Sequence, residues 1–195
     1  MELNTKSIFV AMVGKPNVGK SSLMNLILGE KIAIVTQKPQ TTRTSITGIL
    51  TKGATQFVFM DTPGIHTPRT KLGERMVKTS HKTIADVDLA VMIFEPYGEL
   101  NEAEMSLVDS IKKNRIPAIA VINKKDTLKK AADLDKQMKM LEEIGVFDKV
   151  VATSAKDNDG VDELLSLIDS YAMEGPHYFE EDAITNMPEK VIVSE

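Results

Sequence analysis

The 195-residue chain contains no cysteine, which excludes disulfides and thiolate metal sites and fits a reducing cytoplasm. Histidine is scarce as well. The three present are scattered at positions 66, 81 and 177, so a histidine-based metal cluster is not expected. Nor is there an excess of positive charge. Lysine and arginine total 24 against 28 aspartates and glutamates, and a net charge of −4 argues against general electrostatic binding of nucleic acid. No apolar run approaches a membrane span, and the stretch near the N-terminus is too short for a signal peptide. Internal repeats and low-complexity tracts are absent. What is present, 42% hydrophobic and 27% charged residues, is the composition of one globular domain with a substantial core. The 11 methionines read as core filling on helix faces, as at Met138, rather than as a binding surface.

Residues 14 to 21 read GKPNVGKS, a G-x-x-x-x-G-K-[ST] string between an apolar run and an amphipathic one. The run from Ile8 to Val13 predicts a buried parallel strand. Leu23, Leu26 and Ile27 predict one apolar face of the helix that follows. Such a loop turns consecutive backbone N–H groups onto a phosphate, at the partly positive end of a helix. Gly14 and Gly19 then allow close backbone approach, Lys20 meets the β- and γ-phosphates, and Ser21 ligates Mg²⁺. Asn17, Val18 and Ser22 complete the candidate phosphate-binding set.

Apolar and amphipathic segments alternate to about residue 173. Ile46 to Thr51 and Gln56 to Met60 predict a hairpin across Lys52-Gly53-Ala54. Leu89 to Phe94 and Ala118 to Ile122 predict central strands, and Lys149 to Thr153 one nearer an edge. Asn101 with Glu104 resembles a capping box opening a helix through about Asn114. Leu134, Met138, Leu141 and Ile144 line the next helix, with Gly145 at its end, and Val161, Leu164, Leu165 and Ile168 line the last. This alternation implies an α/β fold with a mostly parallel sheet covered on both faces, and ligands at the carboxyl ends of its strands. From Glu174 the pattern becomes irregular and reads as a linker. The predicted division is a nucleotide-binding domain over 1–173 and a linker over 174–195.

A phosphate loop alone leaves kinases, ATPases and GTPases open. Asn123-Lys124-Lys125-Asp126 directly follows a predicted strand, and an aspartate there accepts both the ring N–H and the exocyclic N–H of guanine. Adenine presents no such pair, so the site would reject it. Alone, NKKD would be read as a solvated turn; after a phosphate loop it reads as a guanine site. Ser154-Ala155-Lys156 follows the next strand and would bring a backbone N–H onto the guanine oxygen, a signal without weight in isolation. Asp61-Thr62-Pro63-Gly64 ends another strand: Asp61 can hold the Mg²⁺ shell through water, and the Gly64 N–H can sense a γ-phosphate. Thr42, in the polar loop 36–44, is the candidate second hydroxyl on Mg²⁺.

With these motifs in order, the chain resembles the hydrophobic-substituted, translation-factor-related P-loop GTPases, and within them the Era-like family of bacterial ribosome-assembly GTPases. GKPNVGKSSLMN, KPQTTRT, DTPGIHTPRTKLGERM and GPHYFEEDAIT carry the likeness, which covers essentially the whole chain. It implies a Ras-like three-layer domain with six strands, the second antiparallel, and switch segments between Thr36 and Ser45 and between Thr62 and about His81. It implies GTP hydrolysis with slow intrinsic turnover, and a role in small ribosomal subunit assembly and 16S rRNA maturation. The family's RNA contacts belong to a C-terminal KH domain, whose G-x-x-G loop does not occur after Lys149. The isolated chain is then expected to be a cytoplasmic monomer; peripheral association with the inner face of the cell membrane stays open.

Ras-type GTPases orient water with a glutamine just after D-x-x-G; here that position is Ile65, which can neither donate nor accept a proton. Water positioning would fall to main-chain groups, the carbonyl of Thr42 and the N–H of Gly64. The PNxGKS form of the loop, shared with potassium-stimulated relatives, leaves two roles for Asn17: holding K⁺ in place of an arginine finger, or shaping the loop. His66 as a base, and Arg69, Lys71 and Arg75 as RNA contacts, are weaker readings than solvated loop and helix residues. The competing functions are a guanine-nucleotide-binding module with negligible hydrolysis, the GTPase domain of a tRNA-modifying relative, and an ATP-dependent kinase, against which NKKD argues.

Overall fold

The computed structural model describes residues 5–29, 47–61, 80, 83–84 and 87–179. The elements placed there are β1 (Lys6–Gly14), α1 (Lys20–Leu28), β2 (Thr47–Lys52), β3 (Thr55–Asp61), β4 (Leu89–Phe94) and α2 (Glu102–Asn114). After them come β5 (Ala118–Ile122), a 3₁₀ turn (Lys125–Thr127), α3 (Ala131–Glu143), β6 (Lys149–Ala152), α4 (Val161–Asp169) and β7 (Met173–Glu174).

Strand order in the sheet is β2-β3-β1-β4-β5-β6. β1 runs parallel to β3 and β4, β4 to β5 and β5 to β6, while β2 pairs antiparallel with β3. Because side chains alternate across a strand, the continuous apolar runs divide cleanly between two cores. Ile8, Val10 and Met12 join Leu89, Val91, Ile93, Ile119 and Val121 beneath α1 and α4. Ala11 and Val13 join Ala90, Met92, Phe94, Ala118, Ala120 and Ile122 beneath α2 and α3. A three-layer α/β/α domain results, as the strand–helix alternation predicts.

α2 begins with the expected capping box: Glu104 N–H donates to Asn101 Oδ1 at 2.8 Å, and Asn101 N–H donates to Glu104 Oε2 at 2.9 Å. The helix ends after Asn114, before Pro117. β6 lies at the sheet edge, as predicted.

One expectation needs correction. In α1 the buried face is Leu23, Met24, Ile27 and Leu28, and Leu26 is 37% exposed. At about 100° per residue those four side chains share one arc, and Leu26 falls outside it. The spacing of Leu23, Leu26 and Ile27 alone hid this because it left Met24 and Leu28 out. A second feature escaped the sequence: past Glu174 the chain has no helix or strand as far as Phe179, yet it is tied to the sheet there. β7 adds antiparallel to the start of β1, the Gly175 N–H donates to Thr5 O at 3.0 Å, and Thr5 Oγ1 donates to Gly175 O at 2.9 Å. Buried Gln56 accepts from the Tyr178 and Phe179 N–H groups at 2.8 and 3.1 Å and donates to Phe179 O at 3.0 Å.

Candidate nucleotide site

The phosphate loop leaves β1 at its carboxyl end, with the ends of β3 and β4 on either side. Gly14 permits this crowding: a Cβ there would stand 2.5 Å from the Ile93 carbonyl oxygen. Gly19 has φ of 97° and caps α1 with no side-chain bond. The first turn of α1 opens directly behind the loop, so the partly positive end of the helix dipole faces the loop. Lys20 is only 7% exposed, and its ammonium donates to Lys15 O at 2.9 Å and to Gly14 O at 3.3 Å. A buried cation curled over the loop's own carbonyls fits a loop built for phosphate oxygens. Ser21 and Ser22 occupy the first turn of α1, half-buried; Asn17 is exposed, with φ of 64°. Asparagine is among the few side chains that tolerate that conformation.

The second part of the site follows β5 and β6. Asn123 is 1% exposed and ties three segments together. Its Nδ2 donates to Val18 O at 2.7 Å, while its Oδ1 accepts from Thr153 Oγ1 and from the Ala155 N–H, each at 3.1 Å. Asp126 is exposed, and its Oδ1 accepts from Ser154 Oγ at 2.8 Å. One bond to Ser154 orients the carboxylate and leaves acceptor capacity for two N–H donors. Of the backbone N–H groups in Ser154-Ala155-Lys156, one of which is expected to face a base oxygen, that of Ala155 is engaged by Asn123. Lys156 is exposed beside it.

Asp61 ends β3 in register with Met12, which brings its backbone beside the approach to the phosphate loop. Its side chain lies outside the described residues, as do Thr42, Gly64, Ile65, His66, Arg69, Lys71 and Arg75. Among the described residues no group of three His, Cys, Asp or Glu could hold a metal ion. None of their helices is long and apolar enough to cross a membrane.

Three ion pairs around the site escape sequence reasoning, because they join residues distant in the chain. Lys15 Nζ meets Glu104 Oε2 at 2.8 Å, Lys124 Nζ meets Glu95 Oε1 at 3.0 Å, and Lys125 Nζ meets Asp159 Oδ2 at 2.8 Å.

Comparison with known proteins agrees with this geometry. Residues 9–124 match the family model described as 50S ribosome-binding GTPase. GTPase Era of Clostridioides difficile (strain 630) is 42% identical over 190 residues, covering 97% of this chain and 64% of the relative. GTPase Era of Clostridium novyi (strain NT) is 44% identical, with the same coverage of 97% and 64%. Among solved structures, Era in complex with MgGDPNP and nucleotides 1506-1542 of 16S ribosomal RNA superposes with a TM-score of 0.88 at 32% identity, over 96% of this chain and 64% of that one. A point variant of Aquifex aeolicus Era bound to GDP.AlF4- gives the same TM-score, identity and coverage. The chain spans 64% of the length of these relatives. With its phosphate loop and its Asn123–Asp126 loop joined at the carboxyl ends of a Ras-like sheet, the chain belongs to the family of 50S ribosome-binding GTPases, in its Era-like branch.

Proposed function

We propose that this chain binds GTP and GDP and hydrolyses GTP to GDP and phosphate, as the switch of a longer protein that assists small ribosomal subunit assembly. Residues 1–173 form the GTPase domain in this reading, and 174–195 lead toward an RNA-binding KH domain that carries the 16S rRNA contact. The carrying observation is the Asn123–Val18 bond, which makes the phosphate-binding and base-reading loops one rigid unit.

In this unit Lys20 neutralises charge on the β- and γ-phosphates, while the loop backbone and the positive end of the α1 dipole face the phosphate oxygens. Asp126, oriented by Ser154, accepts the two guanine N–H donors. Ser21 and Thr42, with Asp61 through water, would supply oxygen donors for Mg²⁺, a hard cation that would neutralise charge on the β- and γ-phosphates. Water attacks the γ-phosphorus, the bond to the β–γ bridging oxygen breaks, and GDP leaves. Ile65 takes no part in proton transfer, so main-chain groups of Thr42 and Gly64 orient the water, and turnover without a partner is slow. Asn17 is the side chain proposed to help hold K⁺.

The test is γ-phosphate release from GTP with Mg²⁺ in matched K⁺ and Na⁺ buffers. Faster release in K⁺, lost in Asn17→Gly, supports the reading; glycine accepts the φ of 64° without strain. Tight GTP binding with no release would instead favour a nucleotide-binding module whose hydrolysis needs the rest of the protein. ATP competing equally with GTP would overturn the guanine assignment.

A further inference from the structure

Lys124 is held at its carbonyl by Thr127, through the backbone bonds of its two chain neighbours, and at its ammonium by Glu95. Its backbone has φ of 64°, an uncommon conformation for a lysine and one that persists only where the surroundings impose it. They do so here. The Lys124 carbonyl accepts from the Thr127 N–H at 2.9 Å and from Thr127 Oγ1 at 2.8 Å, and the next N–H, of Lys125, donates to Thr153 O at 3.1 Å. The neighbouring Asn123 N–H donates to Phe94 O at 2.9 Å, setting the end of β4 against the start of the base-reading loop. Glu95 is the residue immediately after that carbonyl. Its Oε1 stands 3.0 Å from Lys124 Nζ, with both side chains about a third exposed, at 34% and 33%. The backbone pins one end of the lysine and Glu95 pins the other, so the methylene stem between them is restrained at both ends.

We infer that Glu95 is a positioning residue for guanine nucleotide binding: it acts through Lys124, holding the stem in place to cover the bound base. The inference rests on the guanine-nucleotide reading above. It assigns the loop after β4 a part in affinity that no residue of the G-x-x-x-x-G-K-S or N-K-K-D strings performs. Glu95 sits at the base-reading loop, and the phosphates are assigned to the opposite loop. Its contribution is therefore the same for GDP and GTP.

The experiment is a double-mutant cycle on this chain with fluorescent GDP and GTP analogues, comparing wild type, Glu95→Gln, Lys124→Ala and the double variant. Glu95→Gln keeps shape and removes charge. It should weaken both nucleotides equally, by about three- to fivefold, mainly through faster dissociation, without moving the thermal midpoint. In the Lys124→Ala background the same change should have no further effect. Additive losses would overturn the inference, since Glu95 would then act without Lys124. A loss confined to GTP would overturn it too, as would unchanged affinity. Wild-type chain that binds neither analogue would instead defeat the guanine-nucleotide reading itself.

Discussion

Asn123 donates to the Val18 carbonyl at 2.7 Å across the cleft between two loops that lie far apart in the chain. The same side chain accepts from Thr153 and Ala155, so one buried amide sets the distance between phosphate loop, base-reading loop and the turn after β6.

Asn123→Ala removes three hydrogen bonds and leaves the Val18 carbonyl and the Thr153 hydroxyl buried without that partner. The expected loss is about 2–4 kcal/mol, a fall in thermal midpoint of roughly 5–15 °C for a domain of this size. GDP affinity should fall by more than stability alone explains, because both halves of the site drift. Calorimetric melting with and without GDP measures the two effects, and a ligand-induced shift as large as wild type would contradict this account.

Gly19 and Gly29 bracket α1 with similar positive φ, 97° and 72°, yet the space around them differs. A Cβ on Gly19 would stand 2.2 Å from Asn123 Nδ2, whereas nothing lies within 4 Å of one on Gly29. Gly29→Ala should cost about 1 kcal/mol from backbone strain and leave nucleotide binding intact. Gly19→Ala should abolish binding at micromolar nucleotide, since it displaces the amide that joins the loops. Equilibrium dialysis with GDP separates the two variants, and retained binding in Gly19→Ala would show that Asn123 can move without loss.

The sheet was legible, and the two candidate loops of the site stand out as strings, because each is local. Leu89 to Phe94 and Ala118 to Ile122 declare themselves as strands by unbroken apolar character. The capping box of Asn101 and Glu104 lies within one turn. The ties between segments were not legible. Nothing in the neighbourhood of Lys15 predicts Glu104, and nothing near Gln56 predicts Phe179, since the first pairing exists only once β1 and β4 have paired and the second only once β3 and β7 both lie on β1. Leu26 shows the same limit within one helix, where three apolar positions were compatible with more than one buried arc. Thr42 and Gly64, proposed for the second Mg²⁺ hydroxyl and for the water, lie outside the described residues and rest on the sequence alone.

Gln56 is a buried amide whose oxygen receives both the Tyr178 and Phe179 N–H groups. Gln56→Leu keeps an apolar body in the same space and removes every bond to the tail. Overall stability should change by no more than about 1 kcal/mol, since the lost hydrogen bonds are offset by apolar burial. Amide exchange at Tyr178 and Phe179 should accelerate by about tenfold or more, while Val10 and Val121 in the central strands keep their protection. Exchange by mass spectrometry or NMR reads this directly. Unchanged protection at Tyr178 would mean that β7, the Thr5–Gly175 bonds, the His177–Ala54 bond and the Phe9–Tyr178 edge contact, with ring centroids 5.2 Å apart, hold the tail without Gln56.

Lys15 and Glu104 form an ion pair that is unequal in burial, and the inequality predicts which half matters. Glu104 is 2% exposed and Lys15 30%, with Nζ 2.8 Å from Oε2. The same carboxylate oxygen also accepts from the Asn101 N–H at 2.9 Å, so it caps α2 and anchors the phosphate loop at once. Glu104→Gln still offers an oxygen to Asn101, and the freed lysine can turn into water; the loss should be about 1 kcal/mol. Lys15→Met deletes the same pair from the other side and leaves a carboxylate buried with too few donors, at about 2–3 kcal/mol. Combining the two changes should recover part of the Lys15→Met loss, because the amide needs no cation. Urea unfolding of the three variants gives the ordering. Equal losses for Glu104→Gln and Lys15→Met would mean that water reaches Glu104 once the lysine is gone, and that the phosphate loop is anchored by Asn123 alone.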